Sequence, residues 1–90
     1  MTSNDNALLK RIQEAERVGR TRLTSHARDE MAEANASAED VRRAILSATK
    51  VIAQPNGVFR MEGGCDSDGE SLVVVVTFYP GGLKIITVFG

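Results

Sequence analysis

The fold is decided by the stretch Ser71–Tyr79 (SLVVVVTFY), Pro80-Gly81-Gly82 and Leu83–Phe89 (LKIITVF) near the end of the chain. Valine, isoleucine and the aromatic residues favour strands, and the Pro-Gly-Gly sequence favours a tight turn. Two strands joined by so short a turn must run antiparallel. In Leu72–Val76 both alternating positions are apolar, which predicts a central strand with two apolar faces. Three short helices can cover only one of them, so the opposite face is expected to be either partly apolar and exposed or covered by a partner or ligand.

Residues on the N-terminal side of this hairpin extend the sheet. Val51–Ala53 and Val58–Glu62 are strand-like, and Asn56-Gly57 between them is a strong turn signal because both residues tolerate a positive φ. Alternation along the second segment points Phe59 and Met61 to one face, which we expect to be the face that helices cover. Short connections between consecutive strands predict an antiparallel meander.

Before residue 50 the apolar residues recur with the period of a helix. The pattern predicts one helix over Ser3–Val18, a second that begins at Thr24 or Ser25, and a third that is capped by Ser37. An extended connector, Arg20–Thr24, links the first two. The predicted fold is therefore α+β, a single domain over residues 1–90 with N-terminal helices packed on one face of a three- to four-stranded antiparallel sheet. The expected core includes Ile12, Val41, Ile45, Phe59 and Met61.

The composition is that of one small globular domain. The chain has 90 residues, of which 42% are apolar and 26% are charged, which suits a single core rather than a disordered chain. Cys65 is the only cysteine, and the sequence has no apolar run of 18 residues and no secretory signal. We therefore expect a cytoplasmic protein with no membrane partner.

Charge is distributed unevenly along the chain. Residues 1–60 hold 10 of the 11 basic and 8 of the 12 acidic residues, a balance of +2, whereas residues 61–90 hold one lysine and four acids, a balance of −3. Basic clusters at Arg17, Arg20 and Arg22 and at Arg42 and Arg43 fit a stripe that binds nucleic acid. They also fit ordinary solvated surfaces, the interpretation that charge alone favours.

The only histidine, His26, lies where the extended connector meets the second helix. Imidazole is the side chain best suited to proton transfer near neutral pH. The unpaired N–H groups at a helix start also attract anions such as phosphate. The alternative is a structural histidine that only forms hydrogen bonds, so the sequence leaves both roles open.

Arg60, Tyr79 and Lys84 join His26 in a set of residue types that suits metal-free RNA cleavage. Such cleavage needs a base for the 2′-OH proton, a cation for the phosphorane charge and an acid for the leaving 5′-oxygen. Each residue also has a structural alternative: Arg60 pairing with an acid such as Glu62, Tyr79 capping a strand, or Lys84 guarding an exposed strand. No zinc, phosphate-loop or complete calcium-loop pattern occurs, so neither a metal nor a cofactor is expected.

Several short motifs resemble a family of small bacterial domains of unassigned function that carry a Thr/Ser-x-His-Ala motif. The matching residues are Thr24-Ser25-His26-Ala27, Met31 and Ser37–Ile45, and then Arg60, Gly64, Asp66, Asp68-Gly69 and Ile85–Phe89. These domains are similar to the RelE/ParE toxin superfamily, including the MqsR-like and BrnT-like toxins. The resemblance implies helices on an antiparallel sheet, cleavage of mRNA either free or on the ribosome, and neutralisation by an antitoxin. His26 aligns with the family histidine, whereas Glu30 and Ala34 (or Asn35) stand where the family usually has arginines.

The leading hypothesis is a toxin-like, metal-independent mRNA endoribonuclease of a toxin–antitoxin module, or a degenerate relative of one. Its expected catalytic residues are His26, Arg60, Tyr79 and Lys84, and its expected RNA-binding residues are Arg20, Arg22, Arg28, Arg42 and Arg43. Two alternatives are a non-catalytic interaction module that uses the exposed sheet face and a regulatory domain that binds a small anion at the second helix start. The expected partners are a cognate antitoxin or a second copy of the chain, together with RNA or the ribosome.

Overall fold

The computed structural model describes residues 3–90, in which helices precede most of the sheet. The elements are α1 (Ser3–Arg17), β1 (Thr21–Leu23), α2 (Ser25–Glu33), α3 (Ala38–Ser47), β2 (Lys50–Gln54), β3 (Val58–Glu62), β4 (Val73–Tyr79) and β5 (Gly82–Phe89). A 3₁₀ turn over Pro55–Gly57 joins β2 to β3, with positive φ at Asn56 and Gly57. The predicted change from helix to strand near residue 50 is confirmed. No helix in the described part is long and apolar enough to cross a membrane.

Within residues 3–90 the sheet has five strands in the order β1-β5-β4-β3-β2. The strands from β2 to β5 form the predicted antiparallel meander, and β4 is central as predicted. The α+β class is confirmed, but the sheet has one more strand than expected and is mixed, because β1 pairs in parallel with β5. The extended connector supplies this strand.

Close approach of two backbones explains why the connector joins the sheet. The Leu83 N–H donates to the Arg20 carbonyl at 2.8 Å, and a Cβ on Gly82 would lie 2.2 Å from that same carbonyl oxygen. After Leu23 the chain turns into α2, because the Thr24 hydroxyl accepts from the Ala27 N–H and its own N–H donates to Ile85. From there on α2, rather than β1, runs beside β5.

Side chains from the helices and from one face of the sheet form a single core. Ile12, Val41, Ile45 and Met61 are buried, and Phe59 is partly buried against them, so the expected core is confirmed. Strand pairing aligns the inward residues in rows across the sheet. These rows are Ile85, Val76, Phe59 and Ala53, and Val88, Val74, Met61 and Val51.

The other face of β4 is not covered by this chain. Val74 and Val76 are fully buried, whereas the alternating Val73, Val75 and Thr77 are partly exposed. The second face of β4 is thus partly apolar and uncovered by this chain, which is one of the two outcomes that the sequence left open for it. All described helices lie on the face that Val74 and Val76 occupy, which leaves the opposite face open.

Two long-range contacts fix α1 against α3. The Arg42 guanidinium binds the carbonyl of Glu16 at 2.9 Å and its carboxylate at 3.1 Å, and Glu16 is buried. The Gln13 amide donates to the last carbonyls of α3, those of Ile45, Leu46 and Ala48, at 3.0–3.2 Å. These contacts satisfy groups that the end of a helix leaves unpaired.

Candidate functional site

The uncovered side of the sheet, called the open sheet face below, carries most of the residues with a proposed chemical role. Strand pairing aligns Arg22, Lys84, Thr77, Val58 and Gln54 in one row and Thr87, Val75, Arg60 and Ile52 in the next. Alternation adds Tyr79, Val73, Phe89, Glu62 and Lys50 to the same face. The face is thus mixed, with valines and Ile52 lying among charged, polar and aromatic residues.

Tyr79 lies between two cations at one end of the open sheet face. The Arg22 Cζ is 5.4 Å and the Lys84 Nζ 5.9 Å from the centre of its ring. Both distances fall within the range of a cation–π interaction. The structure therefore brings together two of the predicted catalytic residues, Tyr79 and Lys84, with one predicted RNA-binding residue, Arg22.

Arg60 belongs to a second group on the open sheet face. Its Nε lies 2.6 Å from Glu62 Oε2, and its Cζ is 5.2 Å from the centre of the Phe89 ring. Pairing with Glu62 is the structural alternative that the sequence offered for Arg60. Two strand spacings and one step of two residues separate Arg60 from Lys84, so their Cα atoms are about 12 Å apart. In this structure the two groups are separate, because the Arg60 guanidinium is engaged by Glu62 and Phe89, whereas Lys84 adjoins Tyr79.

A groove of about 500 Å³ adjoins the Tyr79 end of the open sheet face. It lies between α1 and the turn that joins β4 to β5, and its lining includes Arg11, Arg20, Phe78 and Tyr79. The Arg11 guanidinium stacks over the Phe78 ring at 4.2 Å. Arg20 and Tyr79 thus line the same groove, whose charged side chains are Arg11, Arg20 and the acid Glu14.

His26 lies on the first turn of α2, beyond the edge of β5. Its Nε2 is 3.2 Å from Glu30 Oε2, and 64% of its side chain is exposed. The other carboxylate oxygen, Oε1, accepts a 2.9 Å hydrogen bond from the backbone N–H of Val88. His26 is therefore accessible to a ligand, and the carboxylate beside it is held by the sheet.

The structure does not gather His26, Arg60, Tyr79 and Lys84 into one cluster. Lys84 adjoins Ile85, whose carbonyl accepts the Thr24 N–H two residues before His26. Tyr79 pairs with Gly82 at the start of β5, further along the strand from the residues of β5 that α2 contacts. Arg60 lies on β3, two strands further across the sheet.

The two predicted RNA-binding residues of α3 are in a different part of the molecule. Arg42 is engaged by the buried Glu16, and Arg43 forms an exposed pair with Glu39 at 3.3 Å, one helical turn away. Both are on the helical layer that covers the closed side of the sheet. Arg28 is exposed on α2. Only Arg20 and Arg22 of the predicted RNA-binding set therefore adjoin the open sheet face.

For two residues, Glu30 and Phe89, sequence reasoning did not predict the contact that the structure gives them with a predicted site residue. Glu30 is one helical turn from His26, a spacing at which side chains on a helix meet, so the pair was detectable in the sequence. Phe89 was assigned only to a strand, yet it contacts Arg60 on the open sheet face. That contact depends on the pairing of Phe89 with Val73 and could not be anticipated from local sequence.

The loop after β3 that carries Asp66, Asp68 and Glu70, called the acidic loop below, forms a turn around the Asp66 carboxylate. Asp66 Oδ1 accepts hydrogen bonds from the N–H groups of Asp68 and Glu70, both at 2.9 Å. Asp40 at the start of α3 accepts from the Ser67 N–H at 3.0 Å and so ties the loop to the helix. Among the residues that the structure describes, no three His, Cys, Asp or Glu side chains are grouped as they are around a metal ion.

Comparison with known proteins identifies a family for this fold and site. A family model described as "Domain of unknown function (DUF4258)" matches residues 23–90, so the chain belongs to that family. The match begins at the last residue of β1 and includes α2, His26 and the whole meander from β2 to β5. No curated protein matches the chain.

Proposed function

We propose that this member of the DUF4258 family is a toxin-like endoribonuclease that binds mRNA on its open sheet face. One observation supports the proposal above the others, namely the charge of that face. The described side chains there include four cations and one acid, Glu62; the cations are Arg22, Lys50, Arg60 and Lys84. The rings of Tyr79 and Phe89 lie among these cations. Cations bind the phosphates and rings stack on the bases of a single strand.

Cleavage would proceed through the 2′-hydroxyl of the RNA itself. It requires that the bound strand bring His26 on α2 and the Tyr79 end of the open sheet face to the same phosphodiester, because the free protein does not gather them. His26 accepts the 2′-OH proton as O2′ attacks the adjacent phosphorus. Lys84 and Arg22 stabilise the charge that develops on the phosphorane. The bond from phosphorus to O5′ then breaks, and a proton from Tyr79 or Lys84 neutralises the leaving oxygen. The products are a 2′,3′-cyclic phosphate and a 5′-hydroxyl, and no metal takes part.

Similarity to the RelE/ParE toxin superfamily is part of the same proposal. The resemblance implies helices on one face of an antiparallel sheet, and the meander from β2 to β5 with its helical layer has that arrangement. A toxin of this kind acts in the bacterial cytoplasm and is neutralised by an antitoxin from the same operon. The open sheet face, which binds RNA in this proposal, is the surface that an antitoxin would cover.

The decisive experiment uses an oligodeoxynucleotide that contains one ribonucleotide, incubated with purified protein and a chelator. We expect cleavage only after the ribonucleotide, with a 2′,3′-cyclic phosphate at the new end. His26→Ala should lower the rate by about 10²–10⁴-fold, which is the usual contribution of a proton-transfer group. Arg43→Ala, on the helical layer, serves as the matched control and should cleave at the wild-type rate. Wild-type protein that leaves intact both this substrate and mRNA on translating ribosomes would rule out the nuclease.

A non-catalytic interaction module is the second candidate function. It is favoured by the partly exposed valines of the open sheet face, Val58, Val73 and Val75, and by the outer edge of β2, which pairs with no strand among the described residues. Such a surface and edge suit a protein partner. Recovery of a stable protein complex, together with an inert wild-type chain in the cleavage assay, would favour this candidate over the nuclease.

A further inference from the structure

Glu30 occupies an unusual position for a surface carboxylate. β1 ends at Leu23, so beyond Ile85 the edge of β5 is no longer paired with a strand on that side. The backbone N–H of Val88 lies on this edge and donates to Glu30 Oε1 at 2.9 Å. Only 25% of the Glu30 side chain is exposed. The sheet therefore fixes the carboxylate before any ligand binds.

The second oxygen of the same carboxylate determines which imidazole nitrogen carries the proton. Glu30 Oε2 lies 3.2 Å from His26 Nε2. A lone pair on Nε2 would be repelled by the carboxylate oxygen at this distance, whereas an N–H is attracted to it, so a neutral His26 carries its proton on Nε2. The lone pair is then on Nδ1. Since 64% of the His26 side chain is exposed, the ring remains accessible to a ligand.

We infer that Glu30 is a positioning residue that holds His26 in the Nε2-protonated form and leaves Nδ1 as the proton acceptor. The importance of this arrangement for catalysis rests on the proposed function, whereas the arrangement itself does not. A carboxylate that orients an imidazole is a common way to prepare a general base, because it fixes both the tautomer and the direction of the ring. Glu30 thus links the sheet edge to the base.

The matched variant is Glu30→Gln, because an amide has one acceptor oxygen and one donor nitrogen. The Val88 N–H is a donor, so the amide oxygen should face it and the β5 edge should stay satisfied. The amide NH₂ group then faces His26 Nε2 and donates to it. The variant is therefore expected to move the imidazole proton from Nε2 to Nδ1 while the protein stays folded.

Nuclear magnetic resonance can test this directly, because the chain contains a single histidine. A proton–nitrogen correlation spectrum links the carbon-bound protons of the imidazole ring to its two nitrogens. Recorded at a pH where the ring is neutral, it shows which nitrogen carries the proton. We expect one tautomer, protonated at Nε2, in the wild type and in the control Glu33→Gln. We expect the Nδ1-protonated tautomer in Glu30→Gln. Averaged nitrogen shifts in the wild type, or the same tautomer in both proteins, would overturn the inference.

Activity measurements separate this inference from the proposed function. If the chain cleaves RNA, Glu30→Gln should lower the cleavage rate by about 10²-fold or more while RNA affinity is unchanged, because the acceptor atom is lost and the binding face is not. If Glu30→Gln changes the tautomer but the wild-type chain does not cleave RNA, Glu30 still positions His26 and the nuclease is refuted. Cleavage that is unaffected by the tautomer change would refute the role of Glu30 in positioning a base.

Discussion

Arg42 and Arg43 are neighbours in the sequence, yet the structure gives them different surroundings. Arg42 crosses to α1 and binds a buried carboxylate, whereas Arg43 pairs with an exposed acid on its own helix. Neither adjoins the open sheet face, so the basic dipeptide that suggested RNA binding belongs to the helical layer. The partner of Arg42 is 26 residues away in the chain, which is why local sequence could not identify it. The pair His26 and Glu30, by contrast, could have been predicted from its spacing.

Arg42→Ala should lower the free energy of unfolding by about 1–3 kcal/mol, because the buried Glu16 loses a charged hydrogen-bond donor. Arg43→Ala is the control, and it should change that free energy by no more than about 0.5 kcal/mol, as exposed ion pairs contribute little. Urea denaturation of both variants measures the difference. Equal effects would mean that the Arg42 contact does not stabilise the contact between α1 and α3.

At the scale of elements, the sequence predicted the helices and the meander, which follow from the periodicity of apolar residues. It did not predict β1, which depends on the approach of two distant backbone segments. The helices and the meander follow from apolar stripes and turn residues, and their bounds agree closely with the prediction. β1 has only three residues, too few to show an alternating pattern. It forms because Gly82 lets the Arg20 carbonyl approach β5, which no local signal reports.

Asp40 joins two elements and should make their contact depend on pH. Its carboxylate accepts from the Ser37 N–H at the start of α3 and from the Ser67 N–H of the acidic loop. These two backbone hydrogen bonds hold the pKa of Asp40 well below its usual value. Since the folded state favours the ionised form, its contribution is fully present above the unfolded pKa of about 4 and is lost as the pH falls below it.

Asp40→Asn should therefore be less stable than the wild type at neutral pH, and the difference should narrow below about pH 4. Asp68→Asn, at an exposed position of the same loop, is the control and should leave stability at neutral pH unchanged. Thermal unfolding followed over a range of pH provides the comparison. A stability difference that is independent of pH would show that the ionised form of Asp40 is not what ties the loop to α3.

At the scale of the whole molecule, the chain has two unlike sides. One side is a helical layer on which Arg17, Arg42 and Arg43 pair with acids, whereas Arg11 stacks on Phe78 and Arg28 is exposed. The other is the open sheet face, where cations, two rings and partly exposed valines lie together. The net charge of −1 conceals this difference, because it sums residues that the fold separates. Sequence patterns predicted that one face would be uncovered, but the choice of face required the strand register.

Binding of single-stranded RNA should depend on salt through the open sheet face. Arg22→Ala and Lys84→Ala should each weaken binding and reduce the slope of log affinity against log salt by about 0.7, the value for one lost phosphate contact on a single strand. Arg43→Ala should change neither quantity. Fluorescence anisotropy with a labelled oligonucleotide at several salt concentrations measures both. If all three variants lose the same affinity, binding is not specific to this face.

The claim that RNA lies on the open sheet face is tested most directly by mapping a bound strand that the protein cannot cut. A short 2′-O-methyl RNA lacks the nucleophile, so it can be titrated into isotopically labelled protein while amide and side-chain resonances are followed. The account predicts perturbations at Arg22, Arg60, Tyr79, Lys84 and Thr87 and at His26, with α3 unaffected. Perturbations centred on Glu39 and Arg43, or none at saturating RNA, would contradict it.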